Sequence, residues 1–66
     1  MIYKTIIIEN CFSAGLVVGR LRSFLTSNEA GYIHIKGLGE GCVYLECSAR
    51  NPAVMSFVED QLAEFV

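Results

Sequence analysis

The chain has 66 residues, of which 53% are hydrophobic and 18% are charged, and its formal net charge is −2. A chain of this length forms one small domain, expected over residues 1–66, that buries about 60% of the surface its unfolded form exposes. The acidic balance excludes the basic surface that is typical of nucleic-acid-binding proteins, and no uninterrupted apolar segment is long enough to span a membrane.

The three cysteines lack the spacing of a disulfide framework and are typical of a reducing compartment, so we expect a cytoplasmic protein. Cys42 and Cys47 are five positions apart on one predicted strand and therefore point to opposite faces, which excludes a metal site built from both. The sole histidine, His34, has no acidic residue beside it that would orient it for catalysis. We expect no cofactor, no metal ion and no catalytic residue.

The first two predicted elements are a strand and a helix. Residues 1–9, MIYKTIIIE, are rich in β-branched side chains and predict a strand. Residues 10–13 predict a turn that places Ser13 at the helix N-cap. Over residues 14–26 the apolar positions recur with helical spacing and predict one buried face, which consists of Ala14, Val17, Val18, Leu21, Phe24 and Leu25.

A β-hairpin and a second helix follow. YIHIK (32–36) and CVYLECS (42–48) predict two strands joined by GLGEG (37–41). Because its glycines lie between two strands and Glu40 places a negative charge at the tip, this loop indicates a hairpin turn and not a phosphate-binding loop. Asn51 and Pro52 predict the N-cap and first turn of a helix whose buried residues are Val54, Phe57, Val58, Leu62 and Phe65.

The element order β-α-β-β-α predicts an α+β fold, a two-layer sandwich with a three-stranded sheet and both helices on one face. A right-handed helical crossover makes the first two strands parallel, and the short loop makes the second and third strands antiparallel. These rules favour the strand order 1-3-2 and leave the order 3-2-1 open.

The predicted hairpin register sorts the side chains between two faces of the sheet. A five-residue loop pairs His34 with Tyr44 and Tyr32 with Glu46 on one face. The other face is apolar and is expected to meet the helices, and its pairs are Ile33 with Leu45 and Ile35 with Val43. In the first strand, the residues expected on the helix side are Ile2, Lys4, Ile6 and Ile8.

The opposite face is expected to carry all three tyrosines of the chain. An aromatic centre with a polar rim is typical of protein interfaces, although strands also favour tyrosine in general. We therefore predict a partner-binding surface that consists of Tyr3, Ile7, Tyr32, His34, Tyr44 and Glu46.

The first strand is an edge strand in the order 1-3-2, and its centre, Ile6-Ile7-Ile8, is apolar. Lys4 is its only obvious charged residue that would discourage pairing with another strand. We expect such an edge to pair with its own copy in a homodimer or to add to the sheet of a partner. Three acidic residues of the last helix, Glu59, Asp60 and Glu64, are expected to contact a basic surface, such as the nucleic-acid-binding surface of another protein. Ordinary solvation of an outer helix face is the alternative.

We predict a non-enzymatic protein-binding module, an inhibitor or regulator that acts by steric occlusion of a partner or by dimerisation. This size class includes accessory proteins of phages and mobile elements. Single-stranded RNA binding by the open tyrosine face is one alternative, although it lacks a basic groove and we do not expect direct nucleic-acid binding. A thiol carrier that uses Cys11, just before the first helix, is another alternative.

Two segments, AGLVV (14–18) and GLGEGCVYLECSA (37–49), resemble the start of the first helix and the last strand of the phosphocarrier family of the sugar phosphotransferase system. The resemblance implies a 1-3-2 sheet and, as a further alternative, a degenerate phosphocarrier-like domain. The phosphorylated histidine of that family corresponds to Val17, so no site residue is carried over.

Overall fold

The computed structural model describes residues 1–9, 12–39 and 41–66. Strand β1 (Ile2–Glu9) is followed by helix α1 (Phe12–Ser27), by strands β2 (Gly31–Gly39) and β3 (Cys42–Ala49), and by helix α2 (Pro52–Leu62), which ends in a 3₁₀ turn (Ala63–Phe65). Within these ranges the sheet has the order β1-β3-β2 and both pairings are antiparallel, so the predicted α+β fold and the favoured strand order are confirmed. Cys11 and Glu40, which the sequence analysis singled out, lie outside the described residues.

Helix α1 begins earlier than predicted and ends in a Schellman motif. Ser13 lies in its first turn and not at its N-cap, because the helix begins one residue before it. At the other end Glu29 has a left-handed φ of 52°, and the backbone N–H groups of Glu29 and Ala30 donate to the carbonyls of Thr26 and Leu25 at 3.2 and 2.9 Å. These bonds satisfy the last carbonyls of the helix and turn the chain into β2.

Helix α2 begins where the sequence predicts. The side chain of Asn51 accepts a hydrogen bond from the backbone N–H of Val54 at 3.0 Å, and a proline occupies the first turn. This cap satisfies one of the N–H groups that have no partner inside a helix. The residues that α2 and the 3₁₀ turn bury are Met55, Val58, Leu62 and Phe65.

Two aromatic residues predicted for the core, Phe24 and Phe57, lie outside it. Their side chains are 45% and 40% exposed, and their rings pack on each other across the two helices with centroids 5.2 Å apart. Met55, which is 4% exposed, packs in the core instead. The prediction was wrong here because α2 has apolar residues on two sides, and only the side that contains Met55 and Val58 meets the sheet.

The register of the hairpin is also corrected. Strand β2 continues to Gly39 with a bulge between Ile35 and Gly37, so only two residues separate it from β3. The pairs therefore differ from the predicted ones, with Tyr32 opposite Ser48, Ile33 opposite Cys47, His34 opposite Glu46 and Ile35 opposite Leu45. Because the shift before the bulge is by two residues, the side chains from Tyr32 to Ile35 stay on their predicted faces. Ile35, which was expected to meet the helices, is nevertheless 47% exposed.

The hydrophobic core lies between the helices and one face of the sheet, which we call the covered face. Ile6 and Ile8 of β1 are 7% and 2% exposed, whereas Ile7 between them is 48% exposed. Leu45 of the central strand is fully buried. The alternation agrees with the face assignment predicted for β1, and it leaves the other face of the sheet, the open face, without a layer of its own.

Candidate functional site

The open face carries the predicted partner-binding residues of the sheet in cross-strand rows. Tyr3 of β1 and Tyr32 of β2 lie on either side of Ser48 in the central strand. The next two rows consist of Thr5, Glu46 and His34, and of Ile7, Tyr44 and Gly37. No described helix covers these rows, and all three tyrosines are exposed, with Tyr3 at 77% the most accessible.

A shallow cleft of about 340 Å³ lies on the open face between Tyr3 and Tyr32. The two residues are two strands apart, which corresponds to about 10 Å. Ser48 is half-buried between them, and its hydroxyl donates to the carbonyl oxygen of Tyr32 at 3.3 Å. The cleft therefore has two aromatic walls and a polar floor, as protein-binding surfaces often do.

Tyr32 also contacts helix α1 beside the outer edge of β2. The guanidinium of Arg22 on α1 donates to the Tyr32 hydroxyl at 2.9 Å, and its carbon lies 5.4 Å from the centre of the Tyr32 ring. This cation–π contact ties β2 to the helix layer and fixes the ring beside the strand edge. The sequence did not predict the contact, because helical spacing placed Arg22 on the solvent side of α1.

The charges on the open face are largely paired among themselves. Lys36 and Glu46 form an ion pair of 3.4 Å, and their side chains are 66% and 47% exposed. An exposed pair of this kind contributes little to stability, about 0–1 kcal/mol. His34 lies opposite Glu46 on the neighbouring strand, so the expectation that no acidic residue lies beside it was wrong. The pair leaves the open face without an excess of positive charge.

A second depression, which we call the edge groove, runs along the free edge of β1. It has a volume of about 530 Å³ and is lined by residues 4–7 of β1 and, on the side of α2, by Glu59, Asp60, Ala63 and Val66. Strand β1 keeps an unbroken register with β3 from Ile2 to Glu9. Its other side faces the groove, so the outward N–H and C=O groups of β1 have no strand beside them within the described residues.

The edge groove has a net negative lining. Lys4, expected to reach out from the covered face, contacts Glu59 with its ammonium group 3.0 Å from the carboxylate. Asp60 is exposed beside this pair, and among the described residues it forms no ion pair. Three of the lining side chains are charged, and the pair neutralises two of them, so Asp60 supplies the unpaired side-chain charge of the groove.

Cys47 is almost completely buried on the covered face of the sheet. It lies opposite Lys4 on the central strand and is 2% exposed. Burial raises the pKa of the Cys47 thiol to about 11, and the negative charge of Glu59 adds to the effect. The thiol is therefore neutral near pH 7 and behaves as a core residue, as predicted.

The three acidic residues predicted for partner binding do not act as one patch. Glu59 is paired with Lys4, and Asp60 lines the edge groove, whereas Glu64 is exposed outside the groove lining. The sequence predicted their exposure but gave no sign of the groove, because the groove depends on how α2 sits beside β1.

Among residues 1–9, 12–39 and 41–66, no helix is long and apolar enough to cross a membrane. In the same ranges, no three His, Cys, Asp or Glu side chains are grouped closely enough to hold a metal ion. Comparison of the chain with protein families, with curated proteins and with solved structures found no match.

Proposed function

We propose that this chain is a small non-enzymatic protein-binding module that accepts a strand of a partner protein along the free edge of β1. The observation that carries the proposal is the edge itself: eight residues in regular register, without a bulge, beside an open groove. Soluble proteins usually shield such an edge, because its unpaired backbone groups bind other strands. Backbone hydrogen bonds would supply affinity, and side chains in the groove would supply specificity.

The open face extends the same contact surface. Ile7 and Tyr3 are exposed immediately beside the β1 edge, so a strand added there would place every second side chain next to them. Cross-strand pairs of aromatic and β-branched side chains stabilise a sheet by about 0.2–1 kcal/mol each. The partner would therefore gain contacts on the open face as well as in the edge groove.

Regulation by steric occlusion follows from this mode of binding. A segment that is held as a strand on β1 cannot pair within its own protein or with a third one. The chain would thus act as an inhibitor or regulator of its partner without any chemical step. The homodimer that the sequence suggested uses the same edge and stays a prediction.

The proposal is tested by selecting peptides from a displayed random library on the immobilised protein and measuring their affinities for two matched variants. Ile7→Lys places a charge on the open face of β1, and Ile35→Lys places one on the covered side of β2. The two isoleucines are exposed to nearly the same extent, 48% and 47%. We expect Ile7→Lys to weaken binding at least tenfold and Ile35→Lys to change it less than twofold. Circular dichroism checks that both variants keep their helical signal.

Equal losses in the two variants, or no loss in Ile7→Lys while it remains folded, would contradict strand addition at β1. Unfolding of Ile7→Lys would instead show that Ile7 belongs to the core of the isolated chain.

Single-stranded RNA binding is a second candidate, and the exposure of Tyr3, Tyr32 and Tyr44 on an open sheet is the observation in its favour. The charges weigh against it, because Lys36 is paired with Glu46 and little positive potential remains for phosphates. A fluorescence titration with a short RNA at low salt tests this candidate. Quenching of the tyrosine emission that is lost in Tyr3→Ala would support RNA binding over the first proposal.

A further inference from the structure

The edge groove offers room beside β1. Its volume is about 530 Å³, and its lining combines residues of β1 with Glu59 and Asp60 of α2. Neighbouring strands of a sheet lie about 4.8 Å apart, so a strand paired with β1 would occupy this groove.

The two edges of the sheet differ in what lies beside them. Helix α2 packs over β1 and β3, and its Glu59 and Asp60 line the groove beyond the last strand. At the opposite edge, the contact between Tyr32 and Arg22 lies beside β2, and the same two residues line a depression of about 440 Å³ together with residues of α1. A strand added to β1 would thus lie partly beneath α2, with one side of its backbone paired and alternate side chains facing the helix.

The charges of the groove decide which strand fits. Side chains of the added strand that face α2 would lie near Asp60, whose carboxylate the Lys4–Glu59 pair does not neutralise. A lysine or arginine at that position would be attracted, and an acidic residue would be repelled.

A second copy of this chain meets two obstacles in the groove. Pairing β1 with its own copy around a two-fold axis brings a second α2 to the same junction, because α2 lies next to β1 in each copy. Two sets of Glu59 and Asp60 would then face each other, and each lysine at position 4 is already paired within its own chain. Both helices would also border the same groove, whose volume is about 530 Å³.

We infer that the edge groove receives a single strand of a different protein, with a lysine or arginine on the side that faces α2. This inference rests on the proposed strand addition at β1 and defines the chemistry of the partner. On the opposite side, apolar or β-branched residues of that strand would lie beside Tyr3 and Ile7.

Two synthetic peptides test the inference. Both have ten residues that alternate valine and threonine, and they differ at one central valine position, which is lysine in one peptide and glutamate in the other. Binding to the full chain is followed by NMR shifts of the β1 backbone amides at low salt. We expect the lysine peptide to bind about fivefold to tenfold more tightly, a difference that diminishes as salt screens the charges.

Three variants assign the preference to the groove. Asp60→Asn should reduce the difference between the peptides to less than twofold. Glu64→Gln removes the same charge from the same end of the chain but outside the groove lining, and should leave the difference unchanged. Lys4→Met frees the carboxylate of Glu59 and should increase the preference for lysine about threefold.

The possible outcomes separate the inference from the proposal beneath it. If both peptides shift the β1 amides with equal affinity, strand addition stands and the basic partner is overturned. If neither peptide shifts them, both ideas are overturned. Light scattering without peptide tests the remaining outcome. If the native chain is a dimer at micromolar concentration and Ile7→Lys is a monomer, the groove binds a second copy and the inference is wrong.

Discussion

The two edges of the sheet have different designs, although β1 and β2 are of similar length and both pair with β3. Strand β2 is interrupted by a bulge after Ile35, begins with Gly31 packed against the central strand, and is capped on its outer side by the contact between Tyr32 and Arg22. Strand β1 has no bulge, and its one lysine, which is half exposed, is paired with Glu59. The proposed strand addition at β1 rests on this contrast between an irregular, partly covered edge and a regular one.

The largest effect is expected where β2 packs most closely on its neighbour. A Cβ atom at Gly31 would overlap the backbone carbonyl of Ser48, so Gly31→Ala should force the strands apart and lower the free energy of unfolding by roughly 2–4 kcal/mol. Gly37 of the same strand is the matched control, because a Cβ there meets no atom within 4 Å. Urea denaturation measures both. Equal stability of the two variants would show that the close approach of Gly31 to Ser48 is not needed for stability.

The second largest effect is a pH dependence of stability that arises from the buried thiol of Cys47. The pKa of Cys47 is about 11 in the folded protein, against 9.0 for the ordinary thiol, so the folded state holds this proton more tightly than the unfolded state does. The resulting stability is complete below pH 9 and is lost as the pH rises from 9 towards 11. We expect the free energy of unfolding to fall by on the order of 2 kcal/mol over that range.

Urea denaturation at several pH values measures this decrease in the native chain and in two variants. Cys47→Ala should lose the decrease, whereas Cys42→Ala, which removes the half-buried thiol of the same strand, should keep it. If Cys47→Ala and the native chain respond alike, water reaches Cys47 past the β1 edge and the covered face is more open than described.

The smallest effect concerns the contact that shields β2. Arg22→Ala removes the hydrogen bond and the cation–π contact with Tyr32 and should cost about 0.5–1 kcal/mol. Amide hydrogen exchange should become faster along β2 and stay unchanged along β1. Arg20→Ala is the control, since Arg20 is exposed on the same helix. Faster exchange in β1 would mean that the two edges are coupled and that the comparison between them fails.

The sequence was sufficient to predict the fold and the faces of the sheet. Alternation in β1, the short hairpin and the Asn51-Pro52 cap are local signals, and each one fixes an element or a face without reference to the rest of the chain. The face assignment survived even an incorrect hairpin register, because a shift of two residues leaves every side chain on its side. The three tyrosines consequently lie on the open face as predicted.

The edge groove and the contact of Arg22 with Tyr32 could not be predicted, because they depend on packing between elements that are distant in sequence. The ion pair of Lys4 with Glu59 joins two ends of the chain, and the contact of Arg22 with Tyr32 joins a helix to an edge strand. Helical periodicity also gave Phe24 and Phe57 to the core, although the helices rotate both rings outward against each other. Periodicity identifies apolar residues, but it does not decide which of two apolar sides a helix turns to its sheet.

The central position of β3 has a consequence for the order in which the molecule folds. Strands β2 and β3 are joined by a connection of two residues, whereas β1 pairs with β3 through contacts such as Ile2 with Ala49, close to opposite ends of the chain. The entropy of closing a loop grows with its length, so the hairpin is expected to form early and β1 to dock late. We expect the strand that docks late to be also the first to detach in brief fluctuations of the native state.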